Sequence, residues 1–197
     1  MPFYVKVVEG EGEREIKIDT LLRVVPGKLI IGISNWKDSV VVIKLFFHTR
    51  YWKRDFFRDV RGINLLLKCH IPTPRILNQT TTSDGRGGVL VIDYLQQGVS
   101  LGSLFEEAHY EEARRDDVMK RVLAVIGDCH RSGILQKDMH LHNFMLADER
   151  IYLLDGGDIQ AADGGLQESH PPDVGRRRPP VAAGGPARSA ADEHGRE

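Results

Sequence analysis

The apolar positions of this chain change their period once. Up to about residue 50 they come in short runs: Phe3 to Val8, Leu21 to Val25, Leu29 to Ile33, and Val40 to Phe47, the strongest of the four. Pro26-Gly27 interrupts the pattern, and Asn35-Trp36-Lys37-Asp38 reads as a turn. Glu9 to Lys17, rich in both charges, reads as a turn or exposed segment. Short β-branched runs punctuated in this way predict an antiparallel, strand-rich first lobe.

From Trp52 the spacing becomes helical. Trp52, Phe56, Val60, Ile63 and Leu66-Leu67 recur every three or four residues, which predicts an amphipathic helix over 52–69, stopped before Pro72 and Pro74. A polar, glycine-bearing loop over 78–88 leads to a buried strand, Val89 to Ile92, and then to Asp93-Tyr94-Leu95. A short helix over Leu101 to Glu107 follows. A longer one over about 111–131 turns Val118, Val122, Val125, Ile126 and Cys129 inward and ends before Gly133. The segment Gln136 to Asp158, QKDMHLHNFMLADERIYLLDGGD, then reads as a hairpin of two apolar strands around Ala147-Asp148-Glu149-Arg150.

These elements predict an α+β chain in two lobes: 1–95 strand-rich, 96–160 helical with the hairpin. Over 161–197 the pattern collapses. Leu166, Val174 and Val181 are the only large aliphatic residues there, alongside five prolines, six glycines and the run Arg176-Arg177-Arg178. Such a composition cannot bury enough apolar surface to offset its ordering entropy, so a disordered tail is expected. The arginine run could contact anions, with a solvated tail as the plainer expectation.

Composition narrows the function classes. With 197 residues and 41% hydrophobic content the chain can build a real core. A formal net charge of -1 gives no case for nucleic acid. Cys69 and Cys129 lack a CxxC arrangement and predict buried thiols in a reducing compartment, with no disulfide framework. No apolar run approaches the roughly 20 residues needed to cross a bilayer, and no targeting segment is visible. A soluble, cytoplasmic protein is expected.

Candidate chemistry sits at three places. Lys44 lies inside an apolar strand, where an amine must either find a partner or reach a wet strand edge. Asp59 falls near the centre of the apolar stripe of the 52–69 helix, with Asp55 towards the margin and Arg58 and Arg61 on the far side. A buried carboxylate wants a cation, and Lys44 is the available one, although another base or a position at the helix edge would also serve. Asp138, Asn143 five residues on, and Asp155 at the exit of the hairpin present oxygen donors of the kind that hold magnesium and a substrate hydroxyl. His140 and His142 show no obvious third nitrogen or sulfur ligand in sequence, which disfavours a transition-metal site. Gly27 and Gly32 lie where a phosphate-covering hairpin would be but do not make GxGxxG, so a plain turn is as good a reading as a nucleotide lid.

Lysine, helix acid, D-x4-N and D-G-G in this order resemble the protein-kinase-like superfamily, and more narrowly the bacterial lipopolysaccharide core heptose and Kdo kinases. The stretches that carry the resemblance are VVVIKLF (41–47), RDVRGINLLLKCHIPTPRIL (58–77), VLVIDYL (89–95) and GILQKDMHLHNFMLADERIYLLDGGDI (133–159). The resemblance implies a two-lobed kinase-like fold with an antiparallel-sheet N-lobe and an incomplete helical C-lobe. Lys44 would hold the α- and β-phosphates of ATP, oriented by Asp59. The backbone around Asp93 to Leu95 would hold adenine, Asp138 would act on the acceptor hydroxyl, and Asn143 and Asp155 would bind Mg2+. The implied acceptor is a lipid-linked heptose or Kdo of the lipopolysaccharide core, with peripheral contact at the cytosolic face of the inner membrane; the oligomeric state is not implied.

The sequence departs from that pattern in three ways. Gln136-Lys137 stands where His-Arg is usual, and Asp59 stands where Glu is common. The tail replaces the further helices of a kinase C-lobe, and its Gly-Ala-Arg-Pro composition is what a shifted reading frame tends to give, so a truncated or frame-shifted member is expected. Two other readings stay open: a pseudokinase or inactive fragment, and a phosphotransferase for a small molecule such as an aminoglycoside or choline.

Overall fold

The structure, a computed structural model, describes residues 3–47, 50–106 and 112–162. Beyond Ala162 the expected tail lies outside the described residues. Ala161 itself closes the last strand.

Six strands form the first sheet: β1 (Phe3–Glu9), β2 (Gly12–Val25), β3 (Leu29–Trp36), β4 (Ser39–Phe46), β5 (Ile76–Thr81) and β6 (Gly88–Asp93). They are antiparallel throughout, in the order β1-β2-β3-β4-β6-β5. The sheet curls until its two edges meet. Val7 bridges Thr82, the Ser83 N–H donates to the Lys6 carbonyl at 2.9 Å, and the Thr80 hydroxyl donates to the Val8 carbonyl at 2.6 Å. Val7, Ile16, Ile18, Val41, Ile43, Val89 and Val91 pack on the inner face of this curl.

The outer face carries helix α1 (Trp52–Lys68). Phe46, Leu90 and Ile92 of the sheet meet Trp52, Phe56 and Ile63 of the helix, with Phe46 and Phe56 edge to face at 5.8 Å between centroids. Burying an aliphatic or phenyl side chain of this kind contributes roughly 1.5–3 kcal/mol by removing it from water. One turn on, Leu66 faces a second core, so α1 ties the sheet to the rest of the chain.

Two segments expected as turn or loop are strands. Residues 12–17 open β2, because Ile16 and Ile18 alternate with Glu13, Glu15 and Lys17 in a period of two: the apolar pair is buried and the charges face water. Residues 78–81 belong to β5, an edge strand whose Asn-Gln-Thr-Thr composition suits a half-wet position at the seam. The turn after β3 is shorter than expected. Trp36 is buried, and only Lys37 and Asp38 turn, both with positive φ, as a two-residue hairpin requires.

The remainder contains β7 (Val99–Ser100), α2 (Leu101–Glu106), α3 (Glu112–Arg131), β8 (Ile134–Gln136), a 3-10 turn (Leu141–Asn143), β9 (Phe144–Ala147), β10 (Arg150–Leu153) and β11 (Ile159–Ala161). Val118, Val122, Val125 and Cys129 of α3 pack with Leu101, Leu104, Phe144, Ile151 and Leu153. The β9–β10 hairpin turns on Asp148 and Glu149 and extends to β7, while β8 and β11 pair around it. A curled antiparallel sheet with one bridging helix, followed by a small helical part built on this hairpin, is the α+β, protein-kinase-like arrangement expected. Among the described residues no helix is long and apolar enough to cross a membrane.

Candidate functional site

Lys44 does not sit on an edge strand. Strand β4 lies between β3 and β6, and the lysine points from its α1 face, 6% exposed. Its Nζ donates to Asp59 Oδ2 at 2.9 Å and to the Leu154 carbonyl at 3.4 Å. Strand, helix and hairpin exit therefore converge on one ammonium group.

Asp59 is 2% exposed, at the centre of the buried face as its helical phase predicts. Burial pushes its carboxyl above the usual range; the ammonium of Lys44 pulls the other way, and the Asp155 carboxylate adds to the rise. For Lys44, burial disfavours the charge, but Asp59 and Asp155 together outweigh it and hold its proton more firmly than usual. Among the described residues Asp59 Oδ1 makes no hydrogen bond and Oδ2 carries the ion pair, while the nearby Gly156 backbone N–H helps to hold the carboxyl down.

Two neighbours on α1 depart from the positions expected of them. Asp55 is 6% exposed rather than marginal, and its charge is met by Arg54 Nε at 3.2 Å and by Lys28, which approaches from the β2–β3 hairpin to 4.0 Å. Arg58 does not face away: its guanidinium lies beside Gly157, where an added Cβ would stand 3.8 Å from Nη2 and 3.1 Å from Asp155 Oδ1.

The loop after β8 is held from both ends. The Lys137 N–H donates to the Asp158 carbonyl, and the Leu154 N–H to the Asn143 carbonyl at 2.9 Å. Asn143 Nδ2 donates to the Asp138 carbonyl at 2.8 Å, which fixes the Asp138 backbone. The Asp138 carboxylate is exposed and lies 3.3 Å from His140 Nε2. His142 packs over Gly102 of α2, with Nδ1 at 3.4 Å from the Ser100 hydroxyl.

Asn143 and Asp155 are brought together by the hairpin: one precedes β9, the other follows β10, and their segments are hydrogen-bonded. Both offer oxygen. With Nδ2 committed to Asp138, the remaining donor atom of Asn143 is Oδ1, and Asp155 accepts the Gly157 N–H on Oδ1 at 2.8 Å, leaving Oδ2. A hard-oxygen pair next to a cleft lysine fits magnesium, which takes few protein ligands and keeps several waters. Among the described residues no group of three or more His, Cys, Asp and Glu side chains gathers as a metal site.

The segment expected to hold a purine lies at the end of β6, where Asp93 opposes Val41. Asp93 is tied to Arg75 by four hydrogen bonds: its carboxylate accepts from Arg75 Nε at 2.7 Å, from the Arg75 backbone N–H at 3.3 Å and from Nη2 at 3.5 Å, and its own N–H donates to the Arg75 carbonyl. The Leu95 carbonyl accepts the Gly98 N–H at 3.1 Å.

Two contacts that build the site are invisible to periodicity. An added Cβ at Gly62 would overlap the Gly156 carbonyl oxygen, and one at Gly156 would overlap the Asp59 carbonyl. Helix and D-G-G segment thus pack backbone to backbone, one turn from Asp59. In the I-P-T-P stretch, Pro72 accepts the Leu153 N–H and the Thr73 hydroxyl donates to the Leu153 carbonyl at 2.7 Å. That clamp fixes the strand that delivers Asp155.

A model of the lipopolysaccharide kinase (Kdo/WaaP) family matches residues 42–157, more than half of the chain, a span that includes Lys44, Asp59, Asp93, Asp138, Asn143 and Asp155. Among curated proteins the chain is similar to calcium-dependent protein kinase 8 of Arabidopsis thaliana, 29% identical over 122 residues, which covers 59% of this chain and 21% of that protein. It is also similar to calcium-dependent protein kinase 7 of Arabidopsis thaliana, 28% identical over 47% of this chain and 17% of the relative. Calcium-dependent protein kinase 7 of Oryza sativa subsp. japonica is 26% identical over 42% of this chain and 15% of the relative. The chain spans about a fifth or less of the length of these relatives. With the matching residues running from β4 through the D-G-G segment, the chain belongs to the lipopolysaccharide kinase (Kdo/WaaP) family.

Proposed function

We propose that this protein transfers the γ-phosphoryl group of ATP to a sugar hydroxyl, that of a heptose or Kdo in the lipopolysaccharide core, at the cytosolic face of the inner membrane. The observation that carries the reading is the buried Lys44–Asp59 ion pair at 2.9 Å with Asp155 beside it. Such a pair holds a cation rigid in a cleft, ready for phosphate oxygens that arrive with a large negative charge.

In this reading Lys44 takes the α- and β-phosphates and Asp59 fixes its direction. The backbone from Asp93 to Leu95 borders the base. Asn143 Oδ1 and Asp155 hold Mg2+, which when bound neutralises charge on the phosphates. The exposed Asp138 carboxylate accepts the acceptor proton as that oxygen bonds to the γ-phosphorus and the bond to the β,γ-bridging oxygen breaks. Asn143 serves twice, since the amide nitrogen that anchors the Asp138 backbone leaves its oxygen to the metal.

The test is transfer of labelled γ-phosphate from Mg-ATP to purified inner-core lipopolysaccharide, with casein as a protein acceptor and an aminoglycoside as a small-molecule one. Asp138→Ala and Asp155→Ala should each lower transfer by about 100-fold or more. Because Asp138 is exposed, its substitution should leave stability within about 0.5 kcal/mol. Transfer undiminished in both variants would overturn the assignment, and labelling of casein alone would move the acceptor to a protein hydroxyl.

A further inference from the structure

Arg23 is a cation that the site described above does not use. On β2 it opposes Ile31 of β3, and Ile31 in turn opposes Lys44 of β4. Residues directly opposite one another across a sheet project from the same face. Arg23, Ile31 and Lys44 therefore form one row across three strands, on the face that meets α1.

The register of β2 makes this so. Leu21 opposes Gly32 and Arg23 opposes Ile31, so Leu22 is one residue too many on β2. Without that bulge Leu22 would oppose Ile31 and Arg23 would turn to the inner face of the curl. A bulge that re-aims one side chain is a common device beside functional clefts.

Strands lie about 4.8 Å apart, which sets the Arg23 and Lys44 Cα atoms about 10 Å from each other, within reach of two long side chains meeting one ligand. Arg23 is exposed and has no ion-pair partner among the described residues, whereas Lys44 has Asp59. Its positive charge is felt at Lys44, where it opposes proton binding. Lys44 is neutralised by Asp59, so Arg23 is the uncompensated charge of the row, and an anion lying across the row would meet both cations. Three residues beyond Arg23 the chain turns at Pro26-Gly27, where Gly27 takes a positive φ, so Arg23 rides on the arm of a hairpin that borders this face.

We propose that Arg23 is a second phosphate-binding cation of the cleft, gripping the polyphosphate chain of a nucleoside triphosphate from the hairpin side while Lys44 grips it from β4. This rests on the nucleotide-binding reading given above. It also supplies what the β2–β3 hairpin lacks: with no GxGxxG in the sequence, a side-chain guanidinium takes over contacts that a glycine-rich loop would make through its backbone.

The experiment is calorimetric titration of the whole chain with ATP, ADP, AMP and adenosine at fixed magnesium, for wild type, Arg23→Ala and Arg23→Lys. Arg23→Ala should weaken ATP by about ten-fold or more and leave adenosine unchanged, with Arg23→Lys in between. Unliganded melting temperatures should match, since the side chain is exposed. Equal ATP affinity in wild type and Arg23→Ala would overturn the role of Arg23 while leaving the nucleotide reading intact, and an equal loss for adenosine would make the residue merely structural. Absence of any nucleotide binding by the wild type would overturn both.

Discussion

Gly62 on α1 and Gly156 behind Asp155 meet backbone to backbone, with no room for a side chain at either. This contact locks the helix that carries Asp59 against the segment that carries Asp155. The mutual position of the two carboxylates around Lys44 is therefore held by a main-chain contact as well as by side-chain packing.

Gly62→Ala should accordingly separate two elements at once. Its Cβ would need the space of the Gly156 carbonyl, an overlap with backbone that no rotamer relieves. We expect a stability loss of about 1–3 kcal/mol by urea unfolding. The thermal shift given by Mg-ATP should shrink more than the unliganded melting temperature falls. A variant as stable as the parent with an undiminished shift would show that helix and segment are not rigidly coupled.

Removing one partner of the Lys44–Asp59 pair leaves the other buried and uncompensated. Asp59→Ala and Lys44→Met should each cost about 3–5 kcal/mol, whereas the double replacement Lys44→Met with Asp59→Leu should recover most of that loss. Nucleotide binding should not return with stability. A double variant that is both stable and ATP-responsive would remove the pair from phosphate binding.

Cys129 offers a pH test. Burial in the α3 core, helped by the neighbouring Asp128 and Cys69, pushes its thiol from 9.0 to about 11. The folded protein thus keeps a proton that the unfolded chain gives up near pH 9. Between about pH 9 and 11 the native state binds more protons than the unfolded one, so stability falls as pH rises through this window. Cys129→Ala should flatten the alkaline limb of a stability profile, and at pH 8 iodoacetamide should label Cys129 only in denaturant. Rapid labelling of the native protein at pH 8 would contradict both expectations.

Much of this site could be read from residue order because its members announce themselves against their surroundings. A lysine in the apolar run of β4 and an aspartate in the apolar stripe of α1 are each anomalous alone, and they resolve each other at 2.9 Å. The hairpin carrying Asn143 and Asp155 has strong strand and turn signals, and its ends come together as the pairing of Phe144 with Leu153 demands. What stayed hidden has no local signature. The strand over residues 12–17 was masked by its charges, because one face of β2 is wet, and β5 by polar residues suited to a seam. Helical phase placed Arg58 away from the site, but a long side chain can fold back beside Gly157. Gly62 and Gly156 lie 94 positions apart in numbering, and nothing about either predicts the other.

The closed seam between β1 and β5 bears on where this protein can loosen. An open sheet fails first at its free margins, and those margins also recruit other chains. Here the margins are joined through Val7 and Thr82, so the weakest line of the sheet is the seam itself, held among the described residues by one bridge and two neighbouring hydrogen bonds. Lys44 stands on β4, three strands from β1 on one side and two from β5 on the other. Breathing at the seam would thus leave the lysine's own strand fully paired. In amide exchange, β1 and β5 should lose protection early and together, while β4 keeps it until the whole sheet unfolds.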